Sequence, residues 1–183
     1  MPKDKASIER IKLLHPSIIT LVTNSVDKAE SSMPKNEAIR IVQGLRTFSE
    51  QDSLYALGRT KINPDGKSSA KPMGNIVTNA QGGKSIHNYG LAVDFALLID
   101  KDNNGTFDEL SWSMTLDMNN DSKTDWSEVV NCFKSFGFSW GGDWRTFKDN
   151  PHCDMTFGHD WRWFLQQYNA KNFIPNTNFV KVN

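Results

Sequence analysis

Asp94 stands in the middle of an apolar run, and that run constrains its surroundings. Leu91, Val93 and Phe95 alternate with Ala92, Asp94 and Ala96, the period of a strand. Asp94 therefore points to the face opposite Leu91, Val93 and Phe95. A carboxylate at mid-strand among apolar side chains is costly unless it is paired or bound to a cation. His87 stands seven residues earlier, with Gly90 after it to let the backbone turn closely, and Asp149-Asn150-Pro151-His152 answers far downstream. Two histidines and one aspartate make a three-ligand set suited to catalytic zinc, which leaves a fourth position for water or substrate. Asp149, three residues before His152, is a candidate general base toward an attacking water. The plainer alternative is that His87 and His152 are satisfied core or surface residues among only four histidines; the buried carboxylate favours the metal.

The rest of the chain reads as a mixture of helices and short strands. Residues 7–14 form a short helix with Ser7 as candidate cap. Pro16 suits the first turn of a second helix running to about Lys28, with Ile18, Ile19, Leu21, Val22 and Val26 as its buried stripe. Ile39 to Val42 is a strand leading toward Arg46. Residues 49–57 are helical, with Ser49 as cap and Asp52 three residues on. Residues 60–84, rich in Gly, Lys, Asn, Ser and Pro, form a long loop of the kind that borders a functional site. Residues 125–136 are an amphipathic helix with Val129, Val130, Phe133 and Phe136 inward, and residues 160–168 are a last helix. The tail from Phe179 to Val182 adds a candidate edge strand.

Three of these segments together resemble the peptidase M15 family. Ser85-Ile86-His87-Asn88-Tyr89-Gly90-Leu91-Ala92-Val93-Asp94 is similar to its S-x-H-x-x-G-x-A-x-D signature. Gly44-Leu45-Arg46-Thr47, with Glu50-Gln51 and the run from Leu54 to Arg59, resembles the family's G-x-R segment and following helix. Trp140-Gly141-Gly142-Asp143-Trp144, followed by Asp149-Asn150-Pro151-His152, resembles the W-G-G-D-W…D-x-P-H block of the endopeptidase branch. Cys153 departs from the pattern, since relatives carry an aromatic residue there. The family comprises zinc peptidases of bacterial wall peptides, both L-alanyl-D-glutamate endopeptidases of phage lysis enzymes and D-alanyl-D-alanine carboxypeptidases. The resemblance implies an α+β fold of the D-Ala-D-Ala carboxypeptidase/Hedgehog-like kind. That is a single domain over residues 1–183, a small antiparallel sheet flanked by helices, and a zinc site in an open cleft. It implies one zinc per chain on His87, Asp94 and His152, with Asp149 as base. Arg46 and Ser85 then face the substrate peptide, Arg46 gripping a free carboxylate and stabilising the oxyanion. From the residues alone, a surface ion pair of Arg46 with Glu50 is the plainer reading. Trp140 and Trp144 are wall or core residues, and Asp143 is a candidate to orient a ligand histidine.

Composition narrows the partners. With 21 basic and 21 acidic residues the net charge is zero, which argues against electrostatic binding of nucleic acid. No stretch approaches the roughly 20 apolar residues of a membrane span. The charged amino terminus is not a secretory signal, so the expectation is a monomer held in the cytoplasm until a phage-type pore releases it to the wall. Cys132 and Cys153 lack the spacing of a zinc knuckle, and a disulfide between them stays open. Two acidic segments suggest calcium. Asp100 to Asp108 matches half of a calcium loop. Asp117, Asn119, Asp121, Asp125 and Glu128 fall at ligand positions of a second, with Ser122 where the sharp turn prefers glycine. The expected function is hydrolysis of peptidoglycan stem peptides at the L-alanyl-D-glutamate bond. The rivals are a D,D-carboxypeptidase, an inactive wall-peptide-binding module and a calcium-binding structural protein.

Overall fold

The computed structural model describes residues 1–64 and 68–182, so residues 65–67 of the expected long loop lie outside the described residues. The chain divides into two compact units, Met1–Leu45 with Leu91–Met155, and Arg46–Gly90 with Thr156–Asn183. The α+β class and the small antiparallel sheet flanked by helices are both found.

The first unit carries the sheet. Strand β2 (Ala92–Ile99) is its centre. Strand β1 (Glu37–Gln43) lies along one edge, with Ile39 opposite Leu97 and Ile41 opposite Phe95. The register slips between Ile41 and Gln43, so a bulge falls where Gln43 meets Asp94. Such bulges re-aim side chains and recur beside functional sites. On the other edge β3 (Glu109–Ser111) pairs with the end of β2, and β5 (His152–Asp154) with its beginning. A two-residue strand β4 (Ser139–Trp140) follows β5 outward.

Helices α1 (Lys5–Lys12), α2 (Pro16–Glu30) and α4 (Asp125–Ser135) complete this unit. Pro16 occupies the first turn of α2 as expected, and the His15 side chain caps it. Helix α1 begins earlier than expected because Asp4, not Ser7, is the cap, accepting the Ser7 N–H at 2.8 Å. Ser7 instead ties α1 to the sheet, its hydroxyl accepting the Ile41 N–H at 2.8 Å. The core is Ile18, Val22 and Val26 of α2 with Ile39, Ile41, Phe95, Leu97, Trp126, Val129 and Phe133, all buried, while Ile19 and Leu21 of the expected stripe are only half-buried. The Phe95 ring lies 4.6 Å from Trp126 and 6.0 Å from Phe133. Burial of each such side chain contributes about 2–3 kcal/mol. Phe136 is only half-buried, because α4 ends at Ser135 and Phe136 is its C-cap.

The second unit holds α3 (Phe48–Ala56), a 3-10 turn (Ile86–Tyr89) and α5 (Trp161–Asn169). Tyr89 stacks on Phe164 at 5.1 Å and donates its hydroxyl to the Gly83 carbonyl at 2.6 Å. Helix α3 starts ahead of expectation, since Thr47 rather than Ser49 caps it, with Glu50 completing a capping box. The tail does not form a strand; Val180 makes one isolated bridge, with Phe173. Both cysteines are free, which sets the disulfide aside.

Candidate metal centre

Register brings the sheet ligands together. Asp94 on β2 and His152 on β5 are directly opposed, and side chains of opposed residues share a face. Asp94 Oδ1 lies 3.2 Å from His152 Nδ1. The strand period of two puts Asp154 on the same face as His152, with Cys153 turned away. Asp154 Oδ2 lies 3.1 Å from His152 Nε2. The His152 ring is thus held between two carboxylates while only 5% exposed. Burial opposes a charge on this imidazole. The hydrogen bonds to Asp154 and Asp94, and then their charges, outweigh it and raise its pKa to about 9.

His87 comes from the 3-10 turn that leads into β2. Gly90 ends that turn in the left-handed region, with φ of 68°, a conformation that suits glycine. The His87 carbonyl accepts the Arg46 N–H at 3.0 Å. Asn88 pins the same turn: its amide donates to the Arg46 carbonyl at 2.9 Å, and its oxygen accepts the Gly83 N–H at 2.9 Å. His87, Asp94 and His152 each offer one ligand atom, all within 4.8 Å of one another. Two imidazoles and a carboxylate around one point suit a divalent zinc ion, and the negative surplus around His152 calls for a cation.

The other expected residues have definite places. Asp149 is half-buried, and its carbonyl accepts the His152 N–H at 3.2 Å. Gly141 packs so closely against Asp149 that a Cβ there would strike the Asp149 carbonyl, a close approach only glycine permits. Arg46 donates from Nη1 to Gln51 Oε1 at 2.7 Å. Glu50, its partner in the plainer alternative, directs its carboxylate to the Thr47 N–H and hydroxyl at 2.7 and 2.8 Å. Ser85 is half-buried at the start of the 3-10 turn. Trp140 donates to the Asn150 carbonyl at 2.6 Å, and the Trp144 ring lies 5.2 Å from that of His152. Asp143 does not orient a ligand; it is exposed and pairs with Lys134 at 2.6 Å. Besides Asp94, the His152 ring touches a second carboxylate, Asp154, which sequence reasoning missed. The spacing of two residues from His152 on a strand was the signal available.

Calcium gains no such support. Among the described residues, His87, Asp94 and His152 are the one group of three or more His, Cys, Asp or Glu side chains close enough to share an ion, and neither acidic loop forms such a group. In the second loop Asp117, Asn119, Asp121 and Asp125 accept backbone N–H groups, whereas Glu128 Oε2 and Asp125 Oδ1 are buried with no hydrogen-bond partner among the described residues. Asp117 takes those of Asp121 and Ser122 at 3.2 and 3.0 Å, and Asp125 takes that of Met118 at 2.9 Å. Asp100 closes its own loop the same way, accepting from Asn104 and Gly105 at 3.0 and 2.7 Å.

An α+β sheet that opposes an aspartate and a histidine, with a second histidine within ligand reach, is the framework of a metallopeptidase. Residues 78–155 match a family model described as D-alanyl-D-alanine carboxypeptidase. The chain is 45% identical over 143 residues to the peptidoglycan L-alanyl-D-glutamate endopeptidase CwlK of Bacillus subtilis (strain 168), covering 78% of this chain and 73% of that protein. Its fold is similar to that of the Serratia marcescens L-Ala D-Glu endopeptidase ChiX. That likeness has a TM-score of 0.50 and 20% identity, over 84% of this chain and 88% of the other. The chain belongs to the peptidase M15 family, whose members are zinc-dependent. No helix among the described residues is long and apolar enough to cross a membrane.

Proposed function

We propose that this chain is a zinc-dependent peptidoglycan endopeptidase that hydrolyses the L-alanyl-D-glutamate bond of wall stem peptides. The observation that carries the reading is the opposed pair Asp94 and His152 with His87 inside the same 4.8 Å group. The 45% identity to CwlK supports the choice of bond. His87, Asp94 and His152 would hold one zinc, which when bound would supply Lewis acidity toward the scissile carbonyl. Asp149 takes the proton of the attacking water and passes it to the leaving amine. Arg46, its guanidinium steadied by Gln51, binds a substrate carboxylate, and Ser85 contacts the peptide. The protein works in this reading as a monomer that meets its substrate at the wall after release from the cytoplasm.

A second reading, removal of terminal D-alanine, is favoured by the description of the matching family model. One experiment separates the two. Purified peptidoglycan is digested and the products are identified by mass spectrometry. New L-alanine carboxyl and D-glutamate amino termini are expected; release of free D-alanine alone would replace the endopeptidase reading with the carboxypeptidase one. A strong chelator should stop the digestion, and added zinc should restore it.

A further inference from the structure

A neutral imidazole has one N–H and one lone pair, and a metal takes the lone pair. The other nitrogen then carries the proton, and in a buried ring that N–H needs an acceptor. His152 is buried, and its two nitrogens face different partners. Nδ1 faces Asp94 Oδ1 at 3.2 Å, and Asp94 belongs to the ligand group. Nε2 faces Asp154 Oδ2 at 3.1 Å, and Asp154 is not in that group. Asp154 is itself only 7% exposed, on β5 opposite Ala92, so its carboxylate is fixed by the sheet rather than by a mobile loop.

We propose that Asp154 is a positioning residue of the metal centre: it accepts the Nε2–H of His152 and so presents Nδ1, beside Asp94, to the metal. The inference rests on the zinc reading above. Asp154 does three things in this role. It selects one of two tautomers, it holds the ring plane in line with Asp94, and its negative charge raises the donor strength of the ring. Outer partners of this kind change metal affinity by about 10- to 100-fold.

The test uses the full chain loaded with zinc, labelled with 15N at histidine. In the wild type, the His152 resonances should show Nε2 protonated and Nδ1 bound to metal. Zinc affinity, read by competition with a chromophoric chelator, should fall by about 10- to 100-fold in Asp154→Ala. It should fall less in Asp154→Asn, whose amide oxygen still accepts a hydrogen bond without the charge. Circular dichroism of the metal-free variants checks the fold, and the wild-type spectrum decides the tautomer even if a variant does not fold. A wild type that binds no zinc overturns the zinc reading and this inference with it. Zinc bound through Nε2 overturns this inference alone. So does Nδ1 ligation with unchanged affinity in both folded variants.

Discussion

Each residue of the proposed site should fail in its own way. Asp149→Ala removes a base that acts only during turnover, so zinc content should stay near one per chain while turnover falls on the order of hundredfold or more. His152→Ala removes a ligand, so the metal itself should be lost. Metal content by mass spectrometry, measured beside turnover, distinguishes the two. Arg46→Lys tests the substrate grip. An ammonium cannot reproduce the planar two-point contact, and the expected loss is about 2 kcal/mol. The assay compares a natural stem peptide with one whose nearby carboxylate is amidated. Wild type should prefer the free acid, and the variant should lose that preference; equal preference in both would leave Arg46 with no role in recognition. The closeness of His87, Asp94 and His152 was readable in the sequence from Asp94 outward, because the cost of a carboxylate in an alternating apolar strand is a local matter. Gln51 was not, because a hydrogen-bond partner depends on where side-chain ends meet, and Asp154 was legible only through its spacing of two residues from His152. The i+4 rule alone does not make Arg46 and Glu50 a close pair, although, after the hydrogen bonds from Thr47, the Arg46 charge does help to lower the Glu50 pKa. That rule belongs to helices, and Arg46 precedes α3, which starts at Phe48.

At the scale of elements, hydrophobic period located the helices and strands, while their ends followed contacts that the pattern does not contain. Two overlapping capping patterns precede α3, Thr47 with Glu50 and Ser49 with Asp52, and sequence spacing alone does not choose between them. The fold chooses the first. Asn88 anchors the chain at Arg46 and Thr47, donating to both carbonyls at 2.9 and 3.3 Å. Asp52 is drawn away to accept the Gly82 N–H at 2.7 Å. Thr47→Ala should therefore cost about 1 kcal/mol in chemical denaturation, while Ser49→Ala should be nearly neutral. Equal losses from both would mean that the helix start is set by neither side chain. The tail fails for a related reason. Phe179 to Val182 has strand-like residues, but one bridge to Phe173 gives it no ladder to join.

At the scale of the whole molecule, formal charge balances to zero, yet the buried carboxyl of Glu37 has no ion-pair or hydrogen-bond partner to balance it among the described residues. Glu37 on β1 is 0% exposed, and neither of its side-chain oxygens has a hydrogen-bond partner among the described residues. Burial, then the charge of Asp125 and more weakly that of Glu128, push its pKa up to about 8, with Lys3 opposing. The folded protein therefore holds a proton that the unfolded chain releases near the ordinary glutamate value of 4.5. Between these two values the native state binds more protons, so stability falls as pH rises. The Glu37 contribution is complete below about pH 4.5 and is lost through about pH 8. Its size is on the order of a few kcal/mol. Glu37→Gln keeps the shape and the neutral state at every pH. In calorimetry of the metal-free protein from about pH 5 to about pH 9, the wild-type midpoint should decline relative to the variant. The two should be close at the acid end, and the variant should be the more stable at the alkaline end. Parallel profiles would mean that Glu37 is ionised in the fold and held there by a partner charge, and the linkage argument would fail with them.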